Sequence, residues 1–283
     1  MGNSLVGLDV RRDFLYSPFR YQGHQTYALG NILSLISGHE VFIEPFCGGA
    51  GVFFAKPKAK VNWLNDVNAE LIETYSVIRD QPREFIDFLR QIDSSIERYE
   101  YFSKEFVPGN NLEVAARWFY LNRTSCMQTM DKFWEQDRTI RFDANELSNI
   151  ILSCSQKLQG VRLTCGDFET AINEAPDNAF LFIAPPYSLH HPKERTKIYR
   201  HPFERESHLR LMTSLKQNSN RIKFMLTYRE DREMRNLYFW GNNTIRTLES
   251  DNTFTDDKTK KPEDQTKKEE NGKEEISIVN YRI

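Results

Sequence analysis

Phe42-Ile43-Glu44-Pro45-Phe46-Cys47-Gly48-Gly49-Ala50-Gly51 is preceded by Val41 and followed by Val52-Phe53-Phe54-Ala55. Val41–Ile43 reads as a short buried strand that runs into a glycine-rich turn, and 52–55 as the start of a short helix. A second strand is expected at Lys60-Val-Asn-Trp-Leu64, with an acid, Asp66, just beyond it. Strand, glycine turn, helix, strand and acid, in that order, open a nucleotide-binding βαβ unit. Glycines there let the backbone approach a ligand closely, and an acid at the end of the next strand can accept hydrogen bonds from a ribose diol. An adenosine-type ligand would lie across the turn with Phe46 in reach. By itself the turn also serves as a tight strand-to-helix connection, and Asp66 is what favours the ligand-binding reading.

Outward from this unit, Tyr27–Ile36 has apolar residues at helical spacing and Ser37-Gly38 supplies a stop. From Ala69 to about Arg98, apolar positions again recur at helical intervals, broken at Gln81-Pro82 where proline starts a new helix. Another helix is expected across Leu112–Leu121. The stretch Asn122–Asn145 is polar and rich in Arg, Thr and Met, which predicts a hairpin or loop, and 83–158 is read as an inserted lobe. Strand patterns return at Val161–Thr164, Ala179–Ile183 and Lys223–Thr227, with a helix at Glu204–Gln217 between the last two. Alternation of strands and helices predicts an α/β fold with a mostly parallel sheet. Dense Lys, Glu and Asp over 251–275 predicts a solvated, flexible loop, and Glu275-Ile-Ser-Ile-Val-Asn-Tyr281 a last strand returning to the sheet. The main domain is therefore discontinuous, 1–82 with 159–283.

With 283 residues, 39% hydrophobic and 13% aromatic, the chain can bury a full core, which excludes disorder throughout. Its net charge of −2 provides no global basic field, so any nucleic-acid surface has to come from a local patch. Cys47, Cys126, Cys154 and Cys165 form no CxxC and no Cys/His pairing at ligand spacing, so no metal is expected and a reduced, cytoplasmic chain is the simple reading. No apolar run approaches the roughly 20 residues that span a bilayer, and no signal-peptide pattern opens the chain, so no membrane role is expected.

Ala184-Pro185-Pro186-Tyr187 closes the apolar run Phe180-Leu-Phe-Ile183. As an isolated tetrapeptide it is a rigid turn, but at the end of a core strand it becomes a site candidate. Each proline locks its own φ, and the second pushes the first toward an extended conformation, so the Pro185 carbonyl is fixed in direction.

Taken in order, these segments resemble the Dam-type family of DNA adenine-N6 methyltransferases. Phe19-Arg-Tyr-Gln-Gly23 is similar to the family's N-terminal cofactor motif, and Phe42–Gly51 with Asp66 to its glycine-rich motif and ribose acid. Ala184–Tyr187 resembles its catalytic Asp-Pro-Pro-Tyr, Phe224-Met-Leu-Thr-Tyr-Arg229 the strand that follows, and Glu275–Asn280 the closing strand. The resemblance implies a Rossmann-like class I methyltransferase domain with an inserted target-recognition lobe over 83–158. It further implies S-adenosylmethionine as cofactor, S-adenosylhomocysteine as product, double-stranded DNA as partner, a base flipped out of the stack, and a monomer acting in the cytoplasm. Tyr21, Gly23, Gln25, Glu44, Phe46, Gly48 and Gly51 would border the cofactor, Asp66 would bind its ribose, Asp167 would sit near its adenine, and position 184 would lie beside its methionine end. In the family, a hairpin of the inserted region reads DNA, which makes Arg123, Lys132, Arg138 and Arg141 candidates for that contact. Lys193, Arg195, Lys197 and Arg200 would hold phosphates near the extruded base.

The chemistry implied is methylation of an exocyclic amine, whose lone pair is delocalised into the ring. Two acceptors, an acid or amide side chain and the first proline carbonyl, favour a tetrahedral nitrogen aimed at the methyl donor. Tyr187 would stack on the base, with Pro185 and Pro186 beside it. The family's acid is replaced here by Ala184, which offers no acceptor, and its usual lysine by Gln25. Loss of a preorganised electrostatic contact typically costs about a hundred- to a thousandfold in rate, so very low or absent methyl transfer is expected. Alanine is what an experimenter would choose to inactivate the enzyme. The alternatives are a natural non-catalytic relative that binds DNA or a partner, or an amino-methyltransferase acting on RNA adenine or DNA cytosine-N4.

Overall fold

The computed structural model describes residues 14–20, 28–125, 130, 133, 142–186, 203–229, 232–248 and 275–282. In chain order these contain α1 (Leu29–Leu35), β1 (Val41–Glu44), α2 (Gly51–Ala55), β2 (Val61–Asp66), α3 (Ala69–Asp80), α4 (Pro82–Leu89), α5 (Ile96–Lys104) and α6 (Asn111–Thr124). There follow α7 (Ala144–Leu158), β3 (Arg162–Cys165), α8 (Phe168–Asn173), β4 (Phe180–Ile183), α9 (Arg205–Asn218), β5 (Lys223–Arg229), α10 (Arg232–Tyr238), β6 (Thr244–Leu248) and β7 (Glu275–Val279).

Local chemistry starts most of the long helices. The side chains of Asn68, Ser95 and Asn110 accept the backbone N–H three residues on, and Asp143 and Asp167 accept the one two residues on. Each satisfies a donor that a helix start otherwise leaves unpaired. Pro82 opens α4 at the position where its missing N–H costs nothing.

The seven strands form one sheet in the order β3-β2-β1-β4-β5-β7-β6. The five strands from β3 to β5 are parallel, and β7 runs antiparallel to both β5 and β6. Alternation along the strands builds two cores. Phe42, Leu64, Phe180, Phe182, Met225 and Val279 face one side, with α1 to α7. Ile43, Trp63, Leu181, Ile183, Phe224, Leu226 and Ile278 face the other, with α8, α9 and α10. Buried Phe85, Phe102, Trp118, Phe119 and Ile151, from the stretch read as an inserted lobe, belong to the same core as Phe42, Phe53 and Tyr75.

Sequence order runs away from β1 in both directions: β1 pairs with β2 on one side and with β4 on the other. This reversal is a topological switch point, and open α/β sheets bind ligands in the crevice outside the strand ends there. Glu44 closes β1 and Ala184 follows β4, so the glycine turn and the proline pair emerge side by side.

Several details depart from the sequence reading. The helical stretch 69–98 ends at Leu89 and restarts at Ile96 as a third helix, α5. Asn122–Thr124 belong to the last turn of α6 and Ala144–Asn145 to the first turn of α7, so the expected hairpin is shorter at both ends. Ser125 and Phe133 form an antiparallel bridge between the two. Helices α7, α8 and α10 and strand β6 were not expected. The charged loop lies outside the described residues up to 274, and Glu275 already belongs to β7.

Candidate active site

The turn after β1 is held by backbone and side-chain bonds from two neighbouring elements. Cys47 N–H donates to Asn65 C=O at 2.8 Å, and Ala50 N–H to Cys47 C=O at 2.6 Å. Gly48, at φ 44°, has both of its polar backbone groups engaged. Its N–H donates to Asp66 Oδ2 at 2.9 Å, and its carbonyl accepts the Tyr75 hydroxyl at 2.8 Å. Ala50 stands in the left-handed region at φ 48°, a conformation that costs an L-residue about 1–2 kcal/mol and so depends on the surrounding bonds.

Asp66, the expected ribose acid, thus also fastens the turn. Its Oδ1 accepts Asn68 N–H at 3.0 Å, so the carboxylate ties the end of β2 to both the glycine turn and the start of α3. Asn65 extends the tie sideways, donating to the carbonyls of Pro45 and Gly166, each at 3.0 Å, and accepting the Thr164 hydroxyl at 2.7 Å. The ends of β1, β2 and β3 are locked together beneath the crevice.

Glu44 is buried, and its Oε1 accepts Phe53 N–H in the first turn of α2 at 2.8 Å. Burial pushes its carboxyl up to about 8, against the opposing pull of that hydrogen bond and of Lys56. The Lys56 ammonium lies 4.3 Å from the centre of the Phe42 ring, and burial lowers it to about 8.

Asp167 caps α8: its Oδ1 accepts Glu169 N–H at 2.9 Å and its Oδ2 accepts Arg210 at 3.0 Å. Arg210 also reaches Glu169 Oε2 at 3.0 Å and lies 5.1 Å from the centre of the Phe168 ring. Phe46 stacks on Phe168 at 5.0 Å, and Phe203 meets Phe46 edge-on at 5.3 Å. These three rings join the glycine turn to the segment that re-enters the described structure after the proline pair.

On the other side of the turn, buried Phe19 packs against Tyr75 at 4.6 Å and Trp118 at 5.0 Å. The Asn122 amide clasps the next residue: Arg20 N–H donates to its Oδ1 at 3.0 Å, and its Nδ2 donates to Arg20 C=O at 2.6 Å. Phe19 and Arg20, which open the N-terminal motif, are therefore pinned to α3 and α6. Neither Tyr75 nor Asn122 stood out in the sequence. Tyr75 sits in an apolar helical stripe, and Asn122 opened the polar stretch read as a hairpin or loop.

Pro185 is buried, and Ala184 and Pro186 are half-buried, with Ala184 packed against the first core. Arg123 lies in the last turn of α6 beside Asn122. Tyr21, Gly23, Gln25, Lys132, Arg138, Arg141, Tyr187, Lys193, Arg195, Lys197 and Arg200 lie outside the described residues. Among the described residues, no group of three or more His, Cys, Asp or Glu side chains could hold a metal ion, and no helix is long and apolar enough to cross a membrane.

A mixed, mostly parallel seven-stranded sheet, with a glycine turn and a proline pair at its switch point, is the α/β Rossmann-like fold of a methyltransferase. The chain belongs to the D12 class N6 adenine-specific DNA methyltransferase family, which it matches over residues 21–250. It is 28% identical over 200 residues to a type II methyltransferase of Lactococcus lactis subsp. cremoris, covering 65% of this chain and 70% of the relative. It is 25% identical over 244 residues to the DNA N-6-adenine-methyltransferase of Escherichia phage P1, covering 80% of this chain but only 31% of that protein. A type II methyltransferase of Paramecium bursaria Chlorella virus NC1A is 34% identical over 94 residues, 32% of this chain and 35% of the relative.

Proposed function

We propose that this chain binds S-adenosylmethionine across the turn between β1 and α2 and takes a flipped adenine of double-stranded DNA against Pro185 and Tyr187. The adjacency of Glu44 and Ala184 at the ends of paired strands carries the reading, because it puts a cofactor turn and an amine-binding loop at one switch point. The donor set suits the ligand. Glu44 and Asp66 end neighbouring strands: the Asp66 carboxylate is complementary to ribose hydroxyls, and Glu44, which keeps its proton near neutral pH, holds the start of α2 beside the turn. S-adenosylmethionine, when bound, supplies an electrophilic methyl group.

The chain's own residues divide the remaining work. Asp66 holds Gly48 in place and turns its remaining acceptor capacity to the ribose, while Phe46, Phe168 and Asp167 border the adenine end. Tyr21, Gly23 and Gln25, which follow Arg20 in sequence, border the cofactor. The Pro185 carbonyl accepts one hydrogen of the target amino group. Position 184 is where the second acceptor belongs, and Ala184 cannot fill it. Methyl transfer by this sequence is accordingly very slow or absent, whereas cofactor binding is kept. Arg123, Lys132, Arg138 and Arg141 contact the duplex from the 83–158 lobe, and Lys193, Arg195, Lys197 and Arg200 hold phosphates beside the extruded base.

The test compares this chain with its Ala184→Asp variant, using S-adenosylmethionine carrying a labelled methyl group and mixed-sequence duplex DNA. Label is expected in adenine N6 with the variant and near background with Ala184. A variant that binds the cofactor yet methylates no adenine would overturn the assignment.

A further inference from the structure

We propose that Tyr75 is a positioning residue for the cofactor turn, acting through the carbonyl of Gly48. This rests on the reading that S-adenosylmethionine lies across that turn. Tyr75 is fully buried on α3, and its hydroxyl donates to Gly48 C=O at 2.8 Å. Because Asp66 takes the N–H of the same glycine at 2.9 Å, the two peptide units flanking Gly48 are each fixed from below, one by α3 and one by β2. Gly48 stands in the left-handed region at φ 44° and, with no Cβ, can leave it readily, so an untethered carbonyl there could rotate and redirect the next amide toward or away from a ligand. The Tyr75 ring is itself wedged by Phe19, at 4.6 Å, and Phe54, at 6.2 Å. One phenol therefore braces the glycine turn while its ring supports the N-terminal motif, the two segments between which the cofactor is placed.

Tyr75→Phe keeps the ring and removes only the bond to Gly48. S-adenosylmethionine binding to the full chain is measured by calorimetric titration, alongside the melting temperature without ligand. Ser155→Ala is the control. It removes another buried hydroxyl, one that donates to Arg79 C=O in the last turn of α3. The expected result is about tenfold weaker binding for Tyr75→Phe and unchanged binding for Ser155→Ala, even where both lower the melting temperature. In the Ala184→Asp background, Tyr75→Phe should raise KM for the cofactor and leave kcat nearly unchanged. Affinity within twofold of the parent for Tyr75→Phe, or equal losses in both variants, overturns the proposal while leaving the functional reading intact. Absence of binding by the parent chain overturns both.

Discussion

The rings of Phe42 and Phe180 stack 6.1 Å apart and within 7° of parallel, on strands where the two residues are in direct register. The pair joins β1 to β4 across the switch point, so it sets the spacing between the glycine turn and the proline pair. Both rings are fully buried, and His39 lies against both, 5.5 Å from Phe42 and stacked on Phe180 at 5.2 Å. Phe180→Ala should cost about 3–5 kcal/mol in a urea unfolding titration, through lost burial and a cavity that neighbouring rings cannot close. A loss below about 1 kcal/mol would mean that the strands are held mainly by their backbone ladder.

On the proposed function, position 184 asks for an acceptor rather than for a charge as such. Ala184→Asp should raise the rate of methyl transfer about a hundred- to a thousandfold, and Ala184→Asn should recover part of that gain because its amide oxygen can face the same amino hydrogen. Single-turnover measurements separate this chemical step from binding. Equal rates for Ala, Asn and Asp at 184 would remove the side-chain acceptor from the mechanism.

Glu44 gives the chain a pH-dependent stability of defined sign. Its carboxyl titrates at about 8 in the fold against 4.5 ordinarily, so between those values the unfolded chain has released a proton that the folded chain keeps. Its contribution is therefore fully present below about pH 4.5 and is lost as pH rises toward 8, with a limiting slope of about 1.4 kcal/mol per pH unit. Buried His208, lowered to about 4, acts in the opposite direction between pH 4 and 6.5. Lys56 and Lys157, both lowered to about 8, oppose it likewise as pH approaches 8, so the Glu44 slope is least offset near about pH 7. Glu44→Gln keeps an acceptor for Phe53 N–H and should flatten the fall of the urea midpoint there, and an unchanged slope would show that another group carries it.

Asn122 holds Arg20 by one accepted and one donated bond, and the two can be tested apart. Asn122→Asp keeps an acceptor for Arg20 N–H but leaves the Arg20 carbonyl without its donor, which should cost about 1–3 kcal/mol. Cofactor affinity should fall with it, because Arg20 leads directly into the segment expected to border the ligand. Retained affinity in the destabilised variant would confine Asn122 to a structural role.

Much of the fold was legible because its signals are local. The apolar runs of β1, β2, β4 and β5, the glycine turn and the helix-opening Pro82 each announce themselves within a few residues. Apart from the 15-residue α7, what escaped was short or half-exposed. Only Leu248 of β6 is buried, leaving no alternation to read, and α8 has 6 residues, too few to display a helical period. Helix α5 was hidden by the aromatic run Tyr99-Glu-Tyr-Phe102, which continues the apolar pattern of α4 past its true end.

By itself the sequence marked the candidates for the chemistry: a glycine turn with an acid behind it, and a proline pair at a strand end with an alanine before it. Residue type and short-range spacing are enough for that, since backbone freedom, ring constraint and the lack of a side-chain oxygen are properties of each residue alone. Tertiary structure decided how the site is held. Asp66 and Tyr75 come from 18 and 27 residues away to fasten the two sides of Gly48, and Asn122 from 102 residues away to clasp Arg20. Bonds of that range form only after the sheet and helices have packed, so no pattern along the chain could have announced them.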